Sequence, residues 1–272
     1  MGLLVQELPL AYELDDLVVP EGVRLELELI TAWVQQLPKV RDSWGFAPRI
    51  PGARALRALF SGPSGTGKTM AAQAVAKTVG RTLYRIDLPG FVAQNGSETQ
   101  QKLSRLFSVA EEANAILLFD DAEVLLGREV RIPGAGERAA DPAMELLLKR
   151  MASHAGLAIL VVNTSGAPEE TFVRRFDFSV AFPMPAEASR LRIWKTVFPP
   201  EAEIAPDVEF VTLARRYEMT GGEIHDAVVA AAMLAASEGT PISMAHLHRG
   251  IEHALRRAKR HDQLDPISPF QW

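Results

Sequence analysis

Gly62-Pro63-Ser64-Gly65-Thr66-Gly67-Lys68-Thr69 is a phosphate-binding loop of the form G-x-x-x-x-G-K-[ST]. Glycines at 62, 65 and 67 let the backbone curl until its N–H groups converge on phosphate oxygens. Lys68 brings a full positive charge to the outer phosphates, and the Thr69 hydroxyl is suited to ligate Mg²⁺. The spacing is meaningful only between a strand and a helix. Leu56–Phe60 is an apolar run that reads as a buried strand, and Met70–Val79 reads as a helix stopped by Gly80. Such a helix aims its positive N-terminal end at the same phosphates. The expected ligand is a nucleoside triphosphate with Mg²⁺.

Hydrolysis needs two further parts. One is a carboxylate for the metal at the end of another strand, and the other is a group that orients the attacking water. Ala115-Ile116-Leu117-Leu118-Phe119-Asp120-Asp121 ends in two candidates. Asp120 is assigned to the metal, directly or through water, and Asp121 to positioning the water. A capping or turn role is the alternative for Asp120.

The elements that must hold these residues follow from alternation. Near-continuous apolar runs at Leu56–Phe60, Leu83–Ile86, Ala115–Phe119, Leu157–Val162 and Ser179–Phe182 predict strands buried on both faces. Between them, Lys68–Val79, Glu98–Ala113 and Ala143–Met151 have helical periodicity. Strand–helix alternation predicts a three-layer α/β fold with a parallel sheet. Pro183-Met184-Pro185 ends the alternation, and helices are expected at 187–197, 208–216, 222–237 and 243–258. The expected division is a lead-in over residues 1–50, a nucleotide-binding domain over 51–186, a small helical domain over 187–262 and a tail over 263–272. Within the lead-in, Leu25–Leu37 has helical spacing, with Trp33 on the apolar face.

Composition narrows the setting. The 272 residues are 47% hydrophobic and 23% charged, with a net charge of −5. That suits a globular protein and disfavours wholesale nucleic-acid binding. No run of eighteen apolar residues is present, so no membrane-spanning helix is expected. The absence of cysteine excludes disulfides and thiolate metal sites, and together with an N-terminus lacking a basic signal region it suits the cytoplasm. His246 and His248 are two apart on different helix faces and are expected at the surface.

Taken together, these motifs resemble the AAA+ ATPases. Asp120-Asp121-Ala122-Glu123 after its strand is similar to their second motif, Asn163 to their polar sensor, and Phe172-Val173-Arg174-Arg175-Phe176-Asp177 to the region of the arginine finger. Thr220-Gly221-Gly222-Glu223-Ile224 is similar to the start of the lid helix near the adenine. The resemblance implies ATP and Mg²⁺ as ligands, strand order 5-1-4-3-2, a C-terminal helical lid, and a ring, expected to be a hexamer, in which Arg174 or Arg175 reaches a neighbour's γ-phosphate. A finger of that kind is worth on the order of 10³–10⁵-fold in rate. The alternative for each arginine is a salt bridge within one subunit, and Asp177 is a candidate partner for either. A narrower resemblance, carried by Asp15–Pro20, Trp44-Gly45-Phe46, Leu83–Leu88, Leu147–Met151, Phe182–Pro185 and Arg192-Ile193-Trp194, points to the ATPases encoded with contractile, phage-tail-like injection systems.

Several positions depart from that pattern. Asp121 stands where Glu is usual, one methylene shorter, and a misplacement of about an ångström can cost ~10²-fold in rate. Asn95 stands where a pore aromatic is usual, with Phe91 nearby, and Gly127–Gly136 is a Gly/Pro loop in place of a polar segment. Glu223 leaves the start of the lid helix without a sensor arginine. Two functions remain open. One is a ring ATPase that assembles or remodels a protein partner, an injection-system component by resemblance, with weakened hydrolysis. The other is a hydrolysis-poor nucleotide-binding subunit of such a ring.

Overall fold

The computed structural model describes residues 5–50, 55–88, 96–123, 142–164 and 166–263. The chain folds as two compact units, residues 1–63 with 67–182, and residues 64–66 with 183–272. Phe91 and Asn95, the 127–136 loop and most of the 263–272 tail lie outside the described residues.

In the first unit the strands are β1 (Val5–Leu8), β2 (Leu56–Gly62), β3 (Leu83–Asp87), β4 (Ile116–Asp120), β5 (Leu157–Asn163) and β6 (Phe178–Ala181). The helices are α1 (Glu21–Pro38), α2 (Lys68–Val79), α3 (Gly96–Glu112), α4 (Pro142–Ser153) and the short α5 (Glu170–Val173). One sheet joins the strands in the order β1-β3-β4-β5-β2-β6. This differs from the expected five-strand order 5-1-4-3-2 by one added strand. The sheet has a sixth strand, β1, paired antiparallel to β3 with Val5 opposite Ile86 and Leu8 opposite Leu83. The five expected strands are β2 to β6, all parallel to one another, and counted from the β1 edge they run 2-3-4-1-5, which is the expected order read from the other edge.

Apolar side chains fill both faces. Along β5, Leu157, Ile159 and Val161 join the core containing α1 and α2 residues, while Ala158, Leu160 and Val162 join that containing α3 and α4 residues. This period-two division explains why the run has no polar alternation. Full burial of each such Leu or Ile is worth about 1.5–3 kcal/mol. Helix α1 buries Val23, Leu27 and Ile30, whereas Leu25 and Leu29 are exposed and Trp33 stands edge-on to Phe178 at 5.9 Å. Its buried stripe is therefore offset from the one expected. Helix α2 ends at Gly80 in the left-handed conformation, φ +65°, as a C-cap.

The second unit carries α6 (Glu187–Thr196), α7 (Phe210–Arg216), α8 (Gly221–Glu238) and α9 (Met244–Gln263). Its core gathers Trp194, Leu213, Ile224, Leu247 and Ile251. A capping box opens α8: Thr220 Oγ1 accepts from the Glu223 N–H at 3.2 Å, and the Glu223 carboxylate accepts from the Thr220 N–H at 2.7 Å. Helices α8 and α9 approach so closely at Gly250 that a Cβ there would lie 2.2 Å from the Ala227 carbonyl oxygen. His246 is buried rather than superficial, and His248 is half-buried. His246 Nδ1 accepts from the Ser243 N–H at 3.1 Å, and its Nε2 lies 2.9 Å from Glu238. Periodicity announces α9, but not this cap of its first turn.

Candidate functional site

Parallel strands end together, so residues at their C-terminal ends gather along one edge of the sheet. Gly62 closes β2, Asn163 closes β5 and Asp120 closes β4. Gly62 is paired in register with Asn163, and β5 lies between β2 and β4. The sheet thus sets Asn163 between the phosphate loop and Asp120. Just beyond β4 the Ala122 N–H donates to the Val161 carbonyl at 3.1 Å, which keeps the chain against β5.

The loop has the backbone its glycines predict. Gly62, Gly65 and Gly67 have φ of +141°, +76° and +98°. At Gly62 the need is also spatial, since a Cβ would sit 2.1 Å from the Phe182 carbonyl oxygen. Gly67 is the N-cap of α2 and offers no side-chain acceptor, so nothing of its own covers the N–H groups that a phosphate would use. Lys68 and Thr69 follow as the first helical residues. Lys68 is 4% exposed and donates to the carbonyls of Gly62 at 2.8 Å and Pro63 at 2.7 Å. Burial lowers its pKa to about 8, against the opposing pull of Asp120, Glu123 and Asp121. A buried ammonium of that kind is suited to an anionic ligand that restores its charge. The loop tip Ser64–Thr66 belongs to the second unit, where the Gly65 carbonyl accepts from the Gly222 N–H at 2.9 Å.

Three carboxylates act on this lysine. Asp120 accepts from the Asp121 N–H at 3.1 Å with Oδ1 and pairs with Arg85 Nε at 2.9 Å through Oδ2. Asp121 has φ +56°, a left-handed conformation that Asp tolerates better than most residues. Burial raises its pKa, Asp120 and Glu123 raise it further, and Arg85 opposes them. Asn163 Nδ2 donates to Asp121 Oδ1 at 3.1 Å and to Glu123 Oε1 at 2.9 Å. Motif spacing alone assigns no role to two of these neighbours, Glu123 and Arg85. Glu123 sits in plain view two residues beyond Asp121, and Arg85 is a charge inside an apolar strand; either oddity is a usable signal.

The remaining candidates are engaged elsewhere. Arg174 pairs with Glu170 one helical turn back, and Arg175 with Glu145 of α4. Asp177 partners neither. Its carboxylate accepts from the Arg57 backbone N–H at 2.9 Å and from the Arg57 guanidinium at 3.1 Å, tying the entry of β6 to β2. Gly222 lies in the first turn of α8. Among the described residues no group of three or more His, Asp or Glu is arranged to hold a metal ion by itself. Magnesium at a phosphate site needs only one or two protein ligands beside phosphate and water, so Thr69 and Asp120 fit that role. No helix among the described residues is long and apolar enough to cross a membrane.

A parallel α/β sheet with a phosphate loop, a strand-end carboxylate and a polar side chain between them defines a P-loop nucleotide-binding domain. Residues 58–184 match the family AAA, the ATPase family associated with various cellular activities, and this stretch is an AAA ATPase domain. The proteasome-activating nucleotidase of Methanopyrus kandleri is 30% identical over 192 residues, spanning 68% of this chain and 44% of the relative. The ATP-dependent zinc metalloprotease FtsH 3 of Sphaerobacter thermophilus is 28% identical over 220 residues, 78% of this chain and 45% of the relative. A putative 26S proteasome regulatory subunit homolog of Methanothermobacter thermautotrophicus is 23% identical over 252 residues, 90% of this chain and 64% of the relative. The chain spans about half the length of the first two.

Proposed function

We propose that this chain binds ATP with Mg²⁺ and hydrolyses it slowly, using the cycle to assemble or remodel a protein partner as one subunit of a ring. The observation that carries this is the convergence of Lys68, Asp120, Asp121 and Asn163 at adjoining strand ends. Gly62–Thr69, Lys68 among them, would hold the phosphates, and Thr69 and Asp120 would hold magnesium, which would neutralise phosphate charge. Asp121 would accept a hydrogen bond from the attacking water, with its shorter side chain limiting the rate. The second unit, with Gly222 at the start of α8, is proposed as the lid that follows a nucleotide-binding domain over 51–186 and a lead-in over 1–50. Arg174 or Arg175 is proposed as the finger offered to a neighbouring subunit, since both sit at least partly exposed on surface ion pairs of low intrinsic worth.

Relatives named as a proteasome-activating nucleotidase and a metalloprotease support a polypeptide as the partner. A contractile injection system as the setting is supported only by the narrower sequence resemblance. Steady-state ATP hydrolysis by the purified chain tests the proposal, with Lys68→Ala as the blank. Slow turnover that Lys68→Ala abolishes, together with nucleotide binding, is the expected result. ATP binding with turnover no higher than the Lys68→Ala blank would instead favour the hydrolysis-poor ring subunit.

A further inference from the structure

We propose that Glu123 is a positioning residue of the hydrolytic centre, clamping Asn163 at both its backbone and its side-chain amide so that it faces Asp121. This rests on the ATPase reading above and adds a residue to it. Glu123 Oε2 accepts from the Asn163 backbone N–H at 3.1 Å, and Oε1 accepts from Asn163 Nδ2 at 2.9 Å. The second hydrogen of that Nδ2 goes to Asp121 Oδ1 at 3.1 Å. Both oxygens of Glu123 and both side-chain hydrogens of Asn163 are thereby used.

The chemistry fixes the amide's rotation. An amide oxygen turned towards two carboxylates would be repelled, whereas its NH₂ group donates to both. Asn163 Oδ1 therefore points away from Asp121 and Glu123. Asp121, in turn, has Oδ1 committed to Asn163, which leaves Oδ2 to accept from water. A short side chain on left-handed backbone is aimed by this bond rather than by its own length. Both oxygens of Glu123 are turned to Asn163. It acts through Asn163, and its extra methylene gives it the reach to span the backbone and side chain of that residue.

Two measurements on the full chain test this. The asparagines are Asn95, Asn114 and Asn163, so selective ¹⁵N-asparagine labelling gives a sparse amide spectrum that Asn163→Ala assigns. Glu123→Gln should move both the backbone and the NH₂ resonances of Asn163 and leave those of Asn114 in place. In steady state, Glu123→Gln should lower kcat about tenfold with KM for ATP changed less than about twofold, since ground-state binding is untouched. Added to Asn163→Ala, it should cost no more than about a further twofold, the non-additivity expected of residues acting as one unit. Glu123→Asp keeps the charge but is too short to reach both groups of Asn163, so its loss should fall between wild type and Glu123→Gln. It serves as the working variant if Glu123→Gln does not fold. Unmoved Asn163 resonances, a rise in KM in place of the fall in kcat, or fully additive losses would each overturn the proposal. A wild type that binds ATP and never turns it over fails the ATPase reading instead, and the clamp is then decided by the asparagine resonances alone.

Discussion

At the scale of single residues, Asp121 joins three constraints: left-handed backbone, partial burial, and a hydrogen bond from Asn163. Asp is among the side chains that tolerate the first, and in the proposed mechanism its shortness weakens the hydrolytic geometry. Asp121→Glu is therefore expected to raise the rate of ATP hydrolysis while lowering stability by about 1 kcal/mol, because a longer side chain is less suited to positive φ. Turnover assays and a thermal melt on the same preparation separate the two effects, and a lower rate in Asp121→Glu would refute this reading of position 121. The phosphate loop, Asp120 and Asp121 are legible from local spacing, and Asn163 from the resemblance to the AAA+ ATPases. The roles of Glu123 and Arg85 are not. Their partners come from other strands, 40 residues away for Glu123 and Asn163, and a lone charge in sequence gives no sign of which distant strand end will meet it.

At the scale of elements, legibility follows burial. Strands β2, β4 and β5 are visible because both of their faces are covered, which leaves a nearly unbroken apolar run. Strands β3 and β6 are partly exposed and so depart from the two-sided burial expected of them. Strand β1 is not visible, since Val5-Gln6-Glu7-Leu8 is short and has exposed polar residues at its centre. The loop after α4 shows how packing alters chemistry in a way that spacing cannot announce. His154 is 1% exposed, lies 5.2 Å from the Phe107 ring and has Nδ1 3.3 Å from Glu111. Burial lowers its pKa below the ordinary 6.5, Glu111 opposes that, and Arg81 adds to it. The native state thus favours the neutral ring, a contribution fully present above pH 6.5 and lost as the pH falls through the lowered folded value. Denaturant unfolding should show stability falling below pH 6.5, with a shallower fall in His154→Gln; identical pH profiles would exclude this histidine as the cause. In the second unit, Gly250→Val should cost roughly 1–3 kcal/mol by forcing α8 and α9 apart. A chemical melt that leaves Gly250→Val as stable as wild type would mean that the helices can part freely.

At the scale of the whole molecule, the proposed ring ties the first unit's chemistry to assembly. If ATP is shared across subunits, then Mg·ATP should convert the chain to a multimer in light scattering, whereas Lys68→Ala, which cannot hold the phosphates, should keep its smaller mass under the same conditions. A wild type whose mass is unchanged by Mg·ATP would count against a nucleotide-built ring. The order of the sheet carries a separate consequence. Without β1, the outermost strand on that side would be β3, a run containing Leu83 and Ile86 with one side of its backbone unpaired. An open strand of that kind is a template on which another chain can add and aggregate. Val5–Leu8 fills that row of hydrogen bonds with a short segment that carries Gln6 and Glu7 in its middle, charged and polar enough to discourage further addition. Four residues thus cover an edge on which copies of the protein could otherwise pair by the wrong surface, which would compete with the contacts of the proposed ring.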